Sequence, residues 1–196
     1  MSTGMTDELV SGFFNLAAST LQQEDQILRK HFQEAFDQRG QYRDVHQGIL
    51  HVSYETAFVY TIWRALIVSD FPLECRWEYQ YPEPKSRQRA DLAFLGNEGS
   101  AADPIACVEA KGLWGEVNRD VERVKADVQK MREVWRAARK FILLFWDDTR
   151  RPEPDEFNDL GLQSRPGWVR EFPTWWYETS NGHKSIQAVI SLLEVV

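Results

Sequence analysis

Glu109-Ala110-Lys111 closes an apolar run, Pro104-Ile105-Ala106-Cys107-Val108, and follows an isolated Asp91 set in Arg89-Ala90-Asp91-Leu92-Ala93-Phe94. Successive side chains of a strand point to opposite faces, so Glu109 and Lys111 share one face while Ala110 takes the other. Arg87, Arg89 and Asp91 likewise share a face of the preceding strand, and Ala90, Leu92 and Phe94 form its apolar counterpart. If the two strands pair through the small-residue turn at 97–103, Asp91 and Glu109 approach closely. Carboxylates that close repel and raise one pKa unless a cation lies between them. Mg²⁺, with Mn²⁺ as its substitute, favours oxygen ligands and uses one or two carboxylates plus water and substrate phosphate. Such an ion polarises a phosphodiester and acidifies its bound water, and a neighbouring Lys111 would stabilise charge growing on phosphorus.

The positioning elements can be read from periodicity. Residues from about Asp7 to Arg39 read as a helix with an apolar stripe at Phe14, Leu21, Leu28 and Ala35, flanked by Ala18 and Phe32, and with a capping-box restart expected near Ser19. A second helix is expected from about Gln47 to Val68, ending ahead of Phe71-Pro72. Glu55 falls on its buried stripe with Val52, Phe58, Val59 and Ile62, where a carboxylate is costly unless paired or metal-bound. Strands are expected at 75–81, 86–95 and 105–111 as a meander. An amphipathic helix from Glu116 to about Ala138 then carries Val117, Val121, Val124, Val128, Met131 and Trp135, and a strand over Phe141–Trp146 completes a parallel crossover. Asp127 and Lys130 lie beside that apolar stripe as candidate accessory residues. Residues 150–167 read as a long loop. Closing strands are expected at Glu171–Glu178 and Ser185–Val195, the latter with a helical alternative.

Glu55 on a leading helix, Asp91 in the second strand, Glu109-Ala110-Lys111 in the third and an amphipathic helix behind them resemble the PD-(D/E)XK nuclease superfamily over about Gln47 to Trp146. Asp91 follows Ala90 where the motif name has Pro. The resemblance implies a restriction-endonuclease-like core: an α/β domain with a mixed central sheet of about four to five strands flanked by helices, here with an N-terminal helical extension. It implies that Asp91, Glu109 and Glu55 serve an Mg²⁺ ion, Glu55 directly or through water, and that Lys111 serves the attacking water. The expected activity is metal-dependent phosphodiester hydrolysis in nucleic acid, DNA more than RNA, in restriction, repair or defence. Arg87 and Arg89 form a basic edge suited to phosphate contact. A homodimer or a partner protein is the further expectation.

The rest of the 196-residue sequence bounds these readings. Its length suits one domain, divided into an N-terminal helical segment (1–46), a core (47–146) and closing elements (147–196). A net charge of −7 argues against indiscriminate polyanion binding, although metal-site carboxylates themselves contribute to it. Apolar runs too short for a bilayer and the absence of a signal-peptide pattern lead to an expectation of a cytoplasmic protein without membrane contact. Cys75 and Cys107 read as small buried hydrophobes. Trp168, Trp175, Trp176 and Tyr177 are core or base-stacking candidates, and the four His residues show no ligand spacing. The competing functional class is a non-catalytic binding or regulatory protein that keeps the nuclease fold.

Overall fold

The computed structural model describes residues 4–39, 54–82, 87–96, 103–113, 117–148, 157, 159–179 and 182–196, with residues 32, 33, 35–39, 117, 118, 175–179 and 182–185 described by backbone alone. The elements run α1 (Asp7–Arg39), α2 (Glu55–Val68), β1 (Glu74–Gln80), β2 (Arg89–Leu95), β3 (Ala106–Gly112), α3 (Val117–Glu133), β4 (Arg139–Asp147), β5 (Leu162–Thr179) and β6 (Gly182–Val195). The strands make one mixed sheet of six, ordered β1-β2-β3-β4-β6-β5. β3 and β4 are parallel, joined by α3 as the crossover, and the other neighbours are antiparallel. The α/β class, the meander and the crossover are as expected, and the sheet has six strands rather than four to five.

Alternation along the central strands divides the sheet into two faces. Phe141, Leu143 and Phe145 of β4 and Ala188, Ile190 and Leu192 of β6 pack with α1 and α2. Ile142, Leu144, Trp146, Val189 and Leu193 pack instead with Val124, Val128 and Met131 of α3. α1 starts at a cap in which Thr6 Oγ1 accepts the Leu9 N–H at 3.3 Å, with Asp7 and Glu8 in the first turn complementing the helix dipole. Its first half supplies Val10, Phe13, Phe14, Ala17, Ala18 and Leu21 to the core, all at most 1% exposed. The segment read as an extension is thus part of the core.

Several expectations change. The helix is unbroken at Ser19, whose hydroxyl donates back to the Leu16 carbonyl at 3.1 Å within the helix instead of capping a new one. The sequence read as a loop before Glu171 is already strand from Leu162. Pro166 and Gly167, the loop signals, sit in a register shift between Ser164 and Val169, with Gly167 at φ +85°; an edge strand absorbs such an irregularity without losing a ladder on both sides. The helical alternative for Ile186–Ile190 is overturned by continuous pairing of β6 with both β4 and β5. The single helix expected from about Gln47 to Val68 starts only at Glu55, because Tyr54 ahead of it is extended and breaks the helical path. Phe32 and Ala35, residues 47–53, Ser86 and the turn at 97–102 lie outside the described residues or side chains. So do His46, His51, His183 and the side chains of Trp175, Trp176 and Tyr177. Trp168 is core at 2% exposure, and both cysteines are buried, their thiols pushed up to about 12 by burial. Among the described residues, no helix is long and apolar enough to cross a membrane.

Parity breaks in one place. Cys75 and Trp77 of β1, with Leu92 and Phe94 of β2, belong to the α1/α2 face, whereas Tyr79, Tyr81 and Ala90 belong to the α3 face. The switch falls where the ladder steps from Trp77↔Leu92 to Tyr79↔Ala90, and Glu78 there has φ +50°. A left-handed residue in a strand turns the ribbon over locally. Asp91 stands opposite that turn.

Candidate functional site

β2 and β3 pair through Leu92↔Val108, Ala93↔Cys107 and Phe94↔Ala106. Beyond Leu92 the ribbon rotates away, and the Asp91 carboxylate takes over: its Oδ2 accepts the Ala110 backbone N–H at 2.7 Å. Asp91 is thereby tied to the middle residue of Glu109-Ala110-Lys111. Glu109, 3% exposed, faces α3. Its Oε1 accepts the Tyr81 hydroxyl and lies 2.7 Å from Lys130 Nζ. Asp91 and Glu109 are close enough for the charge of one to raise the carboxyl of the other.

Lys111 shares the face of Glu109 and reaches across the end of the sheet. Its ammonium lies 3.2 Å from Glu55 Oε1 and 2.9 Å from Asp127 Oδ2, and it donates to the Ala110 carbonyl at 3.1 Å. Glu55, in the first turn of α2, accepts the Gly112 N–H at 3.0 Å through Oε2, which is 3.3 Å from Arg123 Nη2. Arg123 in turn pairs with Asp120 at 3.3 Å, and Lys130 with Asp127 at 2.8 Å. A continuous polar chain therefore runs from Tyr81 through Glu109, Lys130, Asp127, Lys111, Glu55 and Arg123 to Asp120. Its members come from α2, β3, α3 and the residue that follows β1.

The electrostatics follow from burial and like charge. Burial, and then Asp91 beside it, push the Glu109 carboxyl up to about 8, although Lys130 opposes the shift. Burial raises Asp91 as well, and the Ala110 N–H and Lys111 only partly offset it. Burial alone would lower Lys111 and Lys130. The carboxylates around them, Asp127 and Glu55 for Lys111 and Glu109 and Asp127 for Lys130, outweigh it and hold both ammonium groups above the ordinary lysine value. Both lysines therefore stay charged at neutral pH, and burial makes Asp91 and Glu109 hold their protons more tightly than free carboxyls do.

All four residues expected to carry the chemistry, Asp91, Glu109, Lys111 and Glu55, are thus brought to one end of the sheet, with Asp127 and Lys130 among them. The basic edge is less closely joined. Arg87 lies in the turn ahead of β2 rather than on the strand, and Arg89, with its side chain 57% exposed, is committed to Glu78 at 2.9 Å. Tyr81, Arg123 and Asp120 were not foreseen. For the last two a signal existed: Asp120, Arg123, Asp127 and Lys130 repeat at spacings of three, four and three, a polar stripe alongside the apolar one.

Asp91 and Glu109 are the residues that could hold Mg²⁺ or Mn²⁺ here. Two neighbouring carboxyls, each with one oxygen fixed by a protein donor, leave their second oxygens for a divalent cation that would offset the repulsion between them. Among the described residues no three His, Cys, Asp or Glu side chains converge as a ready-made ligand set, so Asp91 and Glu109 would be completed by water and phosphate oxygens. Glu55 stands one step back, engaged with Lys111, Gly112 and Arg123. Comparison of the chain with models of known families, with curated proteins and with solved structures finds no match, and the reading of this site rests on its residues.

Proposed function

We propose that the protein is a divalent-metal-dependent nuclease of the PD-(D/E)XK kind, hydrolysing phosphodiester bonds of nucleic acid, DNA in preference to RNA, in restriction, repair or defence. The observation that carries this is the convergence of Asp91, Glu109, Lys111 and Glu55 at one end of the sheet: Asp91 holds the Ala110 N–H between Glu109 and Lys111 at 2.7 Å, Lys111 pairs with Glu55 at 3.2 Å, and Lys130 and Asp127 link Glu109 to Lys111. Asp91 and Glu109 would hold the ion, which when bound supplies a polarised phosphoryl oxygen and an acidified water.

The chain's own residues do the rest. The Ala110 N–H fixes Asp91, and Tyr81 with Lys130 fixes Glu109, so neither acid needs to reorganise when substrate arrives. Lys111 is held cationic by Asp127, Glu55 and Asp91, which suits it to donating to the attacking water and to a non-bridging phosphate oxygen rather than to taking a proton. Glu55 positions Lys111, and through the Gly112 N–H it also fixes the end of β3. Arg87 and Arg89, exposed beside Asp91, would meet flanking phosphates.

One observation favours a second reading. Each cation of the network already has a carboxylate partner, so the cluster is also a satisfied polar core for a non-catalytic binding or regulatory protein. The two are separated by incubating purified protein with plasmid, linear single strands and structured RNA, in Mg²⁺, Mn²⁺ or chelator, beside Lys111→Ala and Asp91→Ala. Metal-dependent cleavage lost in both variants supports the nuclease. Tight metal-independent binding without cleavage would replace it with the second reading.

A further inference from the structure

Lys130 Nζ lies 2.7 Å from Glu109 Oε1 and 2.8 Å from Asp127 Oδ1, and 5.3 Å from the centre of the Tyr81 ring. It is a positive charge lodged between two carboxylates, on the α3 side of the cluster, its side chain only 16% exposed. Metal-assisted phosphodiester cleavage uses either one ion or a pair about 3.5–4 Å apart, and a pair needs carboxylate oxygens to bridge it. We propose that Lys130 is a built-in counter-ion standing where a second cation would lie, so that the site takes a single divalent cation, between Asp91 and Glu109. The inference rests on the metal-dependent reading above and specifies its stoichiometry.

Glu109 cannot bridge a pair of ions without giving up a partner. Both the Tyr81 hydroxyl and Lys130 meet Oε1, which leaves one oxygen, Oε2, for a metal. Asp127 is the next acid along the network: its Oδ1 accepts a hydrogen bond from Lys130, and its Oδ2, which accepts none, is paired in charge with the Lys111 ammonium 2.9 Å away. Charge gives the same answer. Among the described residues of the network, the five carboxyl groups of Glu55, Asp91, Glu109, Asp120 and Asp127 meet the three cations of Lys111, Lys130 and Arg123, an excess of two acids that one divalent ion would balance. A second ion would reverse the sign unless Lys130 left.

The test is a count of bound metal rather than an activity. The intact chain is titrated with Mn²⁺ by calorimetry, and free Mn²⁺ is followed by electron paramagnetic resonance, for the wild type, Lys130→Arg and Lys130→Gln. One ion is expected in the wild type and in Lys130→Arg, which keeps the charge, and two in Lys130→Gln, which removes it. Two ions in the wild type, or still one in Lys130→Gln, would overturn the inference while leaving a metal site in place. No bound ion in the wild type would overturn the metal-dependent reading as well. Circular dichroism checks the fold of each variant, and Lys130→Met takes the place of Lys130→Gln if that variant does not fold.

Discussion

The sheet face under α1 and α2 and the face under α3 are both covered by helix, yet they are filled with different chemistry. The first holds Phe13, Phe14, Phe58, Phe94, Phe141 and Phe145, all at most 1% exposed, with edge-on and tilted ring contacts near 5 Å such as Phe13–Phe94 and Phe58–Phe145. The second begins in the same way, with Val124, Val128 and Met131 on Ile142 and Leu144, but toward the end of β3 it gives way to Glu109, Lys130, Asp127 and Lys111. Hydrocarbon burial tolerates approximate fit and returns stability in proportion to area. A buried ion-pair network stabilises little overall, because desolvation offsets the Coulomb attraction, and it penalises any broken pair. The first face therefore carries stability and the second carries placed charge.

Substitutions should separate the two faces. Lys111→Ala is expected to lower the cleavage rate by about 10²–10⁴-fold, the range for loss of a positioned proton donor or charge at the reacting group. Phe94→Ala or Phe145→Ala is expected to cost about 3–5 kcal/mol in denaturant unfolding while changing the rate per folded molecule little. If the phenylalanine variants lost cleavage at full stability, the division between the faces would collapse.

Acidity sharpens the contrast further. Because Glu109 is raised from 4.5 to about 8 by burial and Asp91, the folded chain keeps a proton that the unfolded chain releases. Its contribution to stability is present in full below about pH 4.5 and is lost as pH rises toward about 8. Melting temperatures in chelator should fall across that interval, and Mn²⁺, by replacing the proton, should flatten the fall and release protons on binding. A melting temperature that climbed through the interval in chelator would contradict the placement of Glu109.

Smaller effects test the fine positioning. Tyr81→Phe removes one of two donors to Glu109 Oε1 and leaves the ring in place, so about a tenfold loss of rate is expected, the scale of one hydrogen bond to a charged group. Its pH–rate profile should shift upward, since the charged form of Glu109 loses a donor. Arg89→Ala should weaken nucleic-acid binding only a few-fold and flatten its salt dependence slightly, because its guanidinium is already paired with Glu78.

Much of this was legible in the sequence because it depends on periodicity. Glu109 and Lys111 share a face by strand alternation, Glu55 shares one with Phe58, Val59 and Ile62 by helical offset, and the valines of α3 announce the crossover. What was illegible depends on departures from periodicity. The loop signal of Pro166-Gly167 hides an edge-strand irregularity, and only pairing with β6 reveals that the strand continues. Tyr81 reads as one more aromatic in an alternating strand. It reaches Glu109 because Glu78 turns the ribbon over, and nothing in a lone glutamate foretells a left-handed conformation. Arg87 reads as part of the strand by alternation, whereas it stands in a turn and β2 begins only at Arg89.

The same turn of the ribbon bears on how the molecule behaves in a crowd. β1 is an outer strand, with one side of its backbone unpaired within the sheet, and such an edge is a template on which a foreign strand can grow. Here Glu74, Arg76 and Glu78 place alternating charge along it, and the left-handed Glu78 cuts the flat stretch to the four residues Glu74–Trp77. A distortion that delivers Tyr81 to Glu109 thus also protects the sheet from edge-to-edge aggregation. Glu78→Val would straighten and neutralise the edge, making the protein sticky before it made it unstable.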